Sequence, residues 1–531
     1  MDRGLGAPQM TRWAPLWCLA LAWGLLPALP ALLRGELLGH GLTDLYPAVW
    51  GLWTAAQAWP ALATEAPLLG APEGLPWIYQ SPLRGWIAGP LLPIFGLRWT
   101  WNLLLLAARV GTVLAAGAAG AAFGLRRAGQ LTVAAAFGCA PFFHGYAVEG
   151  IIEGADGWCL GLLLVALGHG RIGWAAAALG ICVWCSFYAG AAGCALVGLL
   201  GLGRPRRWLA FAGLLLGLPL VLAFAQAFPD GAPLEPAVRR AMGFQPLFSL
   251  PGAAPGLQPF AMTTWIGPSL ALAALAGRGA TLPLALAPLL LSVGDGPWDA
   301  LPGFAQLRFP YRWHAATLAL LALSAGAWAD RRRWRGLLAP IIVVEGLLLS
   351  PIEPVIPGAD PGPPAPCALL AAHAASGGAA VEDGALLVIP GPVALPPGRP
   401  NPSRGRSREV LFAQTCHGRP TPAVPDFNSV GVRRTAPALS PLLAYDRVAG
   451  GRGGPLAPGA VAGLQALGVR AVVLMRDDPG LTDEEDLRQG LLAQGARRVG
   501  GLGPDRRSPE LWALSGPPAR PAQEDVQQPI R

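Results

Sequence analysis

Lysine is absent from this chain. Arginine fills all 39 basic positions of its 531 residues, and charged residues of both signs together reach only 13%, about half the share that a soluble domain carries. So little charge cannot solvate a soluble fold of this length. With 53% hydrophobic residues and a mean hydropathy of +0.44, the composition instead indicates a polytopic membrane protein. The missing lysine, beside 71 Gly and 56 Pro, reads as the codon bias of a GC-rich genome and not as function. Nor does the net charge of +8 call for nucleic acid, because the arginines fall in short clusters between apolar runs, as in cytoplasmic loops.

Motifs are missing as well. No P-loop, GxGxxG, HExxH or GxSxG stands in a strand–helix setting, so ATPase, dehydrogenase, metalloprotease and hydrolase readings have nothing to rest on. The apolar runs also lack the repeated polar residues of an ion pathway. Six of the eight cysteines lie in apolar runs, where Cys182 and Cys185 (CVWC) read as small buried residues. Cys367 and Cys416 stand apart in the C-terminal third. Two readings are open for them: a disulfide in an oxidising compartment, or two unpaired thiols.

What is present is a succession of spans. An uncleaved first helix over 13–33 leaves the N-terminus in the cytoplasm. Residues 34–98 then form a long external loop, aromatic and Pro-rich, whose apolar piece 86–97 lies in the interface or dips into the membrane. Arginine clusters at 126–127, 171, 204–207, 278 and 331–335 set the remaining turns, giving about eleven crossings in residues 1–350. A Pro/Gly/Ala-rich linker follows at 351–384. Residues 385–531 read as a small α/β domain on the outer side, with strands ALLVIPG, VRAVVLM and ELWAL and a helix opened by TDEED.

Ionisable groups near a membrane are costly and therefore informative. Asp44 lies in GHGLTDLYPAVWGLW among apolar residues, with no helix start that needs an acid, and is the candidate general base. Glu36, Glu149 and Glu153 are candidates for a second acid. Glu153 and Asp156 in EGADGW are also read as helix caps. Arg109, deep in a crossing, must pair with a carboxylate or a phosphate, or face water. Arg308 and Arg312 can grip a phosphate with their planar forks or anchor an interface beside Tyr311 and Trp313. His417 in QTCHG is read as stabilising a turn or facing the membrane.

Several stretches together resemble the GT-C superfamily of membrane glycosyltransferases, whose relatives include the protein O-mannosyltransferases and the aminoarabinose transferase of lipid A. They are TDLYPAVWGLW (43–53), SPLRGWIAGPLLPIFGLRWTWNLLLLAARVGTVLAAGAAGAAFGLRR (81–127), LPGFAQLRFPYRW (301–313), FAQTCHGRPT (412–421) and LGVRAVVLMRDD (467–478). The likeness is to a broad bacterial group and runs through most of the chain in order. It implies a multi-pass enzyme of the bacterial inner membrane that moves a sugar from a polyprenyl phosphate to an extracytoplasmic glycan, lipid or protein. By the same resemblance Asp44 is the base, and Arg308, Arg312 or Arg109 the partner of the donor phosphate. No organic cofactor is implied, and a divalent cation is left open. Where many relatives carry an acidic pair in the first loop, this chain has Asp44 between Thr43 and Leu45. The same scaffold can also serve a non-catalytic or transport-type protein of envelope assembly.

Overall fold

The structure is a computed structural model. It describes residues 10–41, 44–72, 74–227, 264–277, 281–292, 310–331, 336–360, 362, 364–377, 381, 383–389, 404–422, 437–445, 451–476, 481–502 and 508–514. The chain divides into two units, Met1–Thr64 with Trp77–Pro361, and Glu65–Pro76 with Gly362–Arg531.

The first unit is helical. It opens with α1 (Met10–Leu25), runs through a 3-10 turn into α2 (Leu29–Leu33), and continues with strand β1 (Leu37–Leu38) and α3 (Leu45–Gln57). A pair of short strands, β2 (Glu65–Ala66) and β3 (Leu75–Pro76), belongs to the second unit. Then come α4 (Pro82–Ala122), α5 (Arg127–Val133), α6 (Pro141–Glu149), α7 (Gly157–Gly168), α8 (Ile172–Cys185), α9 (Phe187–Gly201) and α10 (Leu214–Ala227). Later described helices are α11 (Pro268–Gly277), α12 (Thr281–Leu291), α13 (His314–Arg331) and α14 (Leu338–Leu349). Strand β4 (Gly358–Ala359) closes the unit by pairing antiparallel with β1.

Among the described residues, four helical stretches are long and apolar enough to cross a membrane: Trp13–Leu33, Pro82–Ala122, Arg127–Glu149 and Pro205–Ala223. Eleven crossings are thus a finer count than the described helices establish, since α8, α9, α11, α12 and α14 are apolar but only 10–17 residues long. The ambiguous piece 86–97 is helical and forms part of α4. It carries Pro90 and Pro93, whose rings remove backbone donors, and it ends at Gly96 with φ 70° and ψ 169°. A side chain there would be strained, so glycine sets the bend between the two limbs of α4.

Close packing follows from small residues. On α7, GWCLG places Gly157 and Gly161 one turn apart. An added Cβ would lie 2.6 Å from Thr112 Cγ2 at the first and 2.6 Å from Ala115 Cβ at the second, so α7 lies directly on α4. Between α5 and α6 the helix widens into a π turn over Ala134–Gly138. Two helix starts borrow carboxylates from distant helices. Asp330 of α13 accepts from the backbone N–H groups of Arg126 (2.5 Å) and Gly129 (2.7 Å) at the start of α5. Glu345 of α14 accepts from Ser269 N (3.1 and 3.2 Å) in α11. Each supplies the acceptor that exposed helix N-termini lack.

The second unit holds α15 (Ala365–Ala375), β5 (Ala385–Ile389), α16 (Arg404–His417), α17 (Ala460–Ala466), β6 (Val469–Leu474), α18 (Glu484–Ala493), β7 (Arg497–Gly501) and β8 (Glu510–Ala513). The strand order is β5-β6-β8-β7, with β5 parallel to β6 and the other pairs antiparallel. Alternate residues feed two cores: Leu387, Val472 and Trp512 on one face, and Leu386, Val473 and Leu511 on the other. Burial on both faces explains why β5 and β6 read as continuous apolar runs.

The linker expected at 351–384 is not a plain linker. Its first part carries β4 in the first unit, and its second part carries α15 in the second. Residues 65–76, assigned from sequence to the first loop alone, group with the second unit. Within that unit, Leu68 O accepts from Gln414 Nε2 (2.8 Å) and from Thr421 N (2.9 Å). Cys367 and Cys416 form a disulfide in this unit, with Cα atoms 6.4 Å apart.

Candidate functional site and the comparisons

Asp44 occupies the N-cap position of α3, yet its side chain makes no capping hydrogen bond. Two glycines bring this end of the first loop onto the turn between α6 and α7. Gly39 (φ 127°) and Gly150 (φ 70°) are so close that a Cβ on Gly39 would lie 2.8 Å from Gly150 Cα. His40 N donates to Val148 O at 2.9 Å beside them. Any larger side chain at either position would push the loops apart.

The turn from α6 to α7 carries Glu153 and Asp156, and neither caps a helix through its side chain. That corrects the capping reading: both carboxylates are taken by arginines. Asp156 forms a forked pair with Arg84, Nε to Oδ2 at 2.8 Å and Nη2 to Oδ1 at 2.6 Å, and also accepts from Trp158 Nε1 at 2.6 Å. Glu153 meets Arg312 at 3.5 Å, with both side chains less than a tenth exposed. Arg312 comes from the 3-10 turn Pro310–Trp313 that leads into α13. Its guanidinium lies 4.2 Å from the ring centre of Tyr188 and 5.3 Å from that of Tyr146. Aromatic faces stabilise a cation that water does not reach.

Glu153 holds its proton more tightly than an ordinary carboxylate. Burial is the main cause; Arg312 opposes it, and the charge of Asp44 adds to it. Asp44 is therefore an electrostatic neighbour of Glu153. Tyr79, whose hydroxyl donates to Ala48 O at 3.2 Å, feels the same carboxylate, and burial with Glu153 raises its phenol. A cavity of about 30 Å³ opens among Tyr146, Glu153, Asp156, Tyr188 and Arg312, room for a water or two.

The other sequence candidates are placed elsewhere. Glu36 pairs locally with Arg34 at 2.8 Å. Glu149 ends α6, buried, and its charge is felt at the Tyr311 phenol. Arg109 is buried, and neither of the groups its guanidinium meets among the described residues is an acid. One of its amino groups donates to His144 Nδ1 (2.9 Å) and the other to Trp23 O (2.6 Å), with its carbon 5.4 Å from the Trp23 ring centre. A guanidinium can only donate, so His144 is neutral with its proton on Nε2, which donates to Glu353 O at 2.8 Å. In place of the carboxylate, phosphate or water that the sequence called for stand a ring nitrogen and a carbonyl. Arg308 lies outside the described residues. His417 accepts from Arg419 N at 3.0 Å across a turn, as the turn-stabilising reading expects. Among the described residues, no group of three or more His, Cys, Asp or Glu side chains is placed to hold a metal ion.

Sequence reasoning missed Arg84 as the partner of Asp156 and Glu345 as a helix cap. Arg84 stands one turn into α4 after SPL, and nothing near it in the chain betrays a carboxylate 72 residues away.

Neither a protein-family model nor a curated protein matches the sequence. Solved structures do. The arabinofuranosyltransferase AftD from Mycobacteria superposes with a TM-score of 0.58 at 16% identity, over 97% of this chain and 40% of that one. Over nearly its whole length the chain shares the fold of that membrane enzyme. Other GT-C structures match less well: the oligosaccharyltransferase of Archaeoglobus fulgidus at 0.48, 11% identical over 87% of this chain and 69% of that one, and ArnT from Cupriavidus metallidurans bound to undecaprenyl phosphate at 0.41, 15% identical over 96% and 100%. The fold statement rests on the mycobacterial match. Since this chain spans about 40% of AftD's length, the likeness speaks for the GT-C scaffold and not for the whole of that protein.

Proposed function

We propose that this protein is a multi-pass glycosyltransferase of the bacterial inner membrane, with its N-terminus in the cytoplasm and its C-terminal unit in the periplasm. It moves a sugar from a polyprenyl-phosphate donor to an extracytoplasmic glycan, lipid or protein acceptor. The observation that supports this is a meeting of three distant stretches. The first loop, which carries Asp44, packs on the α6–α7 turn through Gly39 against Gly150, and Glu153 of that turn meets Arg312 from the lead-in to α13.

In this reading Asp44 takes the proton of the acceptor hydroxyl as that oxygen bonds to the anomeric carbon. The bond from that carbon to the phosphate oxygen breaks, and the electron pair leaves on the lipid phosphate. Arg312 exchanges Glu153 for that phosphate, with Arg308 as a second candidate. In this reading Glu153 serves as the second acid that the first loop lacks.

A second reading, a non-catalytic protein of envelope assembly on the same scaffold, draws support from the cavity of about 30 Å³ and from the ion pairs that occupy Glu153 and Asp156. The two readings part on Asp44. Membranes carrying wild type or Asp44→Asn are supplied with labelled polyprenyl-phosphate sugars and envelope extract. The enzyme loses roughly 10²–10⁴-fold of its transfer rate when its base is removed. Equal transfer by both forms, each folded and inserted, overturns the assignment.

A further inference from the structure

The turn between α6 and α7 carries two acid–arginine pairs, and they differ in kind. Asp156 and Arg84 meet in a fork, with contacts of 2.8 and 2.6 Å. Glu153 and Arg312 meet at 3.5 Å, beyond the roughly 2.7–2.9 Å of a charge-assisted hydrogen bond. Both arginines are buried, with side chains 5% and 8% exposed. A buried cation needs close support, and for Arg312 the acid alone supplies little of it.

Two tyrosine faces make up the difference. The Arg312 guanidinium carbon lies 4.2 Å from the ring centre of Tyr188 and 5.3 Å from that of Tyr146, inside the ~6 Å over which a ring attracts a cation. Tyr146 is fully buried and stacks on Tyr311, with ring centres 6.4 Å apart and planes at 18°. Tyr188 is fixed by the stretch CSFYAG (185–190). A single residue, Ser186, joins α8 to α9. Its backbone is extended, and its hydroxyl caps α9 by accepting from Tyr188 N at 3.2 Å. Gly190 then lets α9 fold back on α8, since a Cβ there would lie 2.9 Å from Val183 Cγ2. The Tyr188 ring thus stands on a tight helical corner and lines the small cavity together with Glu153 and Arg312.

The two kinds of support respond differently to a second anion. A carboxylate competes with it for the guanidinium and must leave. A ring face carries no charge and can stay where it is.

We infer that Tyr188 is a positioning residue for the transfer proposed above: its ring keeps Arg312 in place while the guanidinium gives up Glu153 and takes the departing phosphate. The inference rests on that functional reading. Tyr188 acts through Arg312 and not on the reacting atoms. Negative charge grows on the phosphate as its bond to the sugar breaks, so Arg312 matters most in the transition state. Weakening its seat therefore lowers kcat more than it raises KM.

The test grades the charge of the ring face at nearly constant shape. Tyr188→Phe is the reference, and the same variant is then made with one, two or three ring fluorines, each of which draws negative charge off the face. The full chain in phosphatidylcholine nanodiscs is assayed with labelled polyprenyl-phosphate sugars and envelope extract. With each fluorine kcat is expected to fall about twofold, reaching nearly tenfold at three, while KM for the lipid changes by less than about twofold. A ring that only fills space gives a flat series. A flat series, or a change in KM alone, overturns the proposal.

A second arm needs no turnover. In Glu153→Gln the acid contact is gone and the ring faces carry more of the cation. Three fluorines at position 188 should then lower the unfolding midpoint further than they do in the chain that keeps Glu153. Equal shifts in the two backgrounds overturn the hold on Arg312, whether or not sugar is transferred. A larger shift in Glu153→Gln beside a wild type that transfers nothing counts against the functional reading, and the hold on Arg312 stands.

Discussion

Arg84 in the helical unit and Arg498 in the sheet unit each meet a carboxylate, at 2.6 and 3.0 Å, but in different surroundings. Arg84 is 5% exposed and Asp156 1%. Arg498 is 47% exposed and shares Glu510 with Arg476 and Arg488, so that three guanidiniums reach one buried acid whose Oε2 also accepts from Trp512 Nε1. In the first case a single guanidinium, beside the Trp158 N–H, answers a buried charge. In the second, several answer it and some remain in water. Redundancy, more than distance, separates the two: a lone buried pair is fragile, and a shared acid tolerates losses.

The sharpest way to break this comparison is to delete one arginine from each. Arg84→Ala strands Asp156 and should cost about 3–5 kcal/mol, whereas Arg498→Ala should cost about 0–1 kcal/mol. Unfolding of the purified full chain, followed by intrinsic fluorescence, reads both. Restoring neutrality with Asp156→Asn in the Arg84→Ala background should recover part of the loss. Equal costs for the two single variants would end the distinction.

Next in size is the disulfide. It closes a separation of 49 residues within the sheet unit, for which a loss of about 2–4 kcal/mol is expected on opening. Cys367→Ser with Cys416→Ser should lower the unfolding midpoint of that unit and leave the helical transition in place. A shift in the helical transition as well would show that the two units unfold together.

The smallest effect is a pH dependence. Burial, helped by Arg419, pushes the His417 imidazole down to about 4. The folded state thus prefers the neutral ring and binds fewer protons than the unfolded chain between that value and about 6.5. Its stabilising effect is full above the unfolded value and is lost as pH falls through this window. Because the ring is partly exposed, the change is on the order of 1 kcal/mol. His417→Gln should remove that slope from the midpoint measured between pH 7 and 4.5.

Much of the scaffold could be read from residue order. Strands β5, β6 and β8 lie where the sequence puts them, because hydropathy and turn residues act locally; Asp44, read as remote from any helix start, stands instead at the N-cap of α3. What escaped was non-local or polar. Nothing in EGADGW names Arg84 or Arg312 as partners, so its acids looked like caps. Strand β7, RRVGG, carries arginine and glycine because it is the outermost strand of its sheet; sheet edges tolerate such residues, and no apolar alternation marks them. The hairpin 65–76 joins the second unit through backbone bonds to Thr421, which leave no trace in side-chain pattern. Gly96 and Gly150 were visible as letters, but only their positive φ shows what they permit.

The borrowed helix caps bear on how the protein is made. The N–H of Arg126 waits for Asp330, 204 residues further on, and a ribosome adding roughly 5–20 residues per second needs about 10–40 s to deliver it. For that interval the start of α5 has only water as acceptor. Its final position is settled by the arrival of α13, so the early helices are inserted first and tightened later, and a chain released before Asp330 would keep α5 loose at its end.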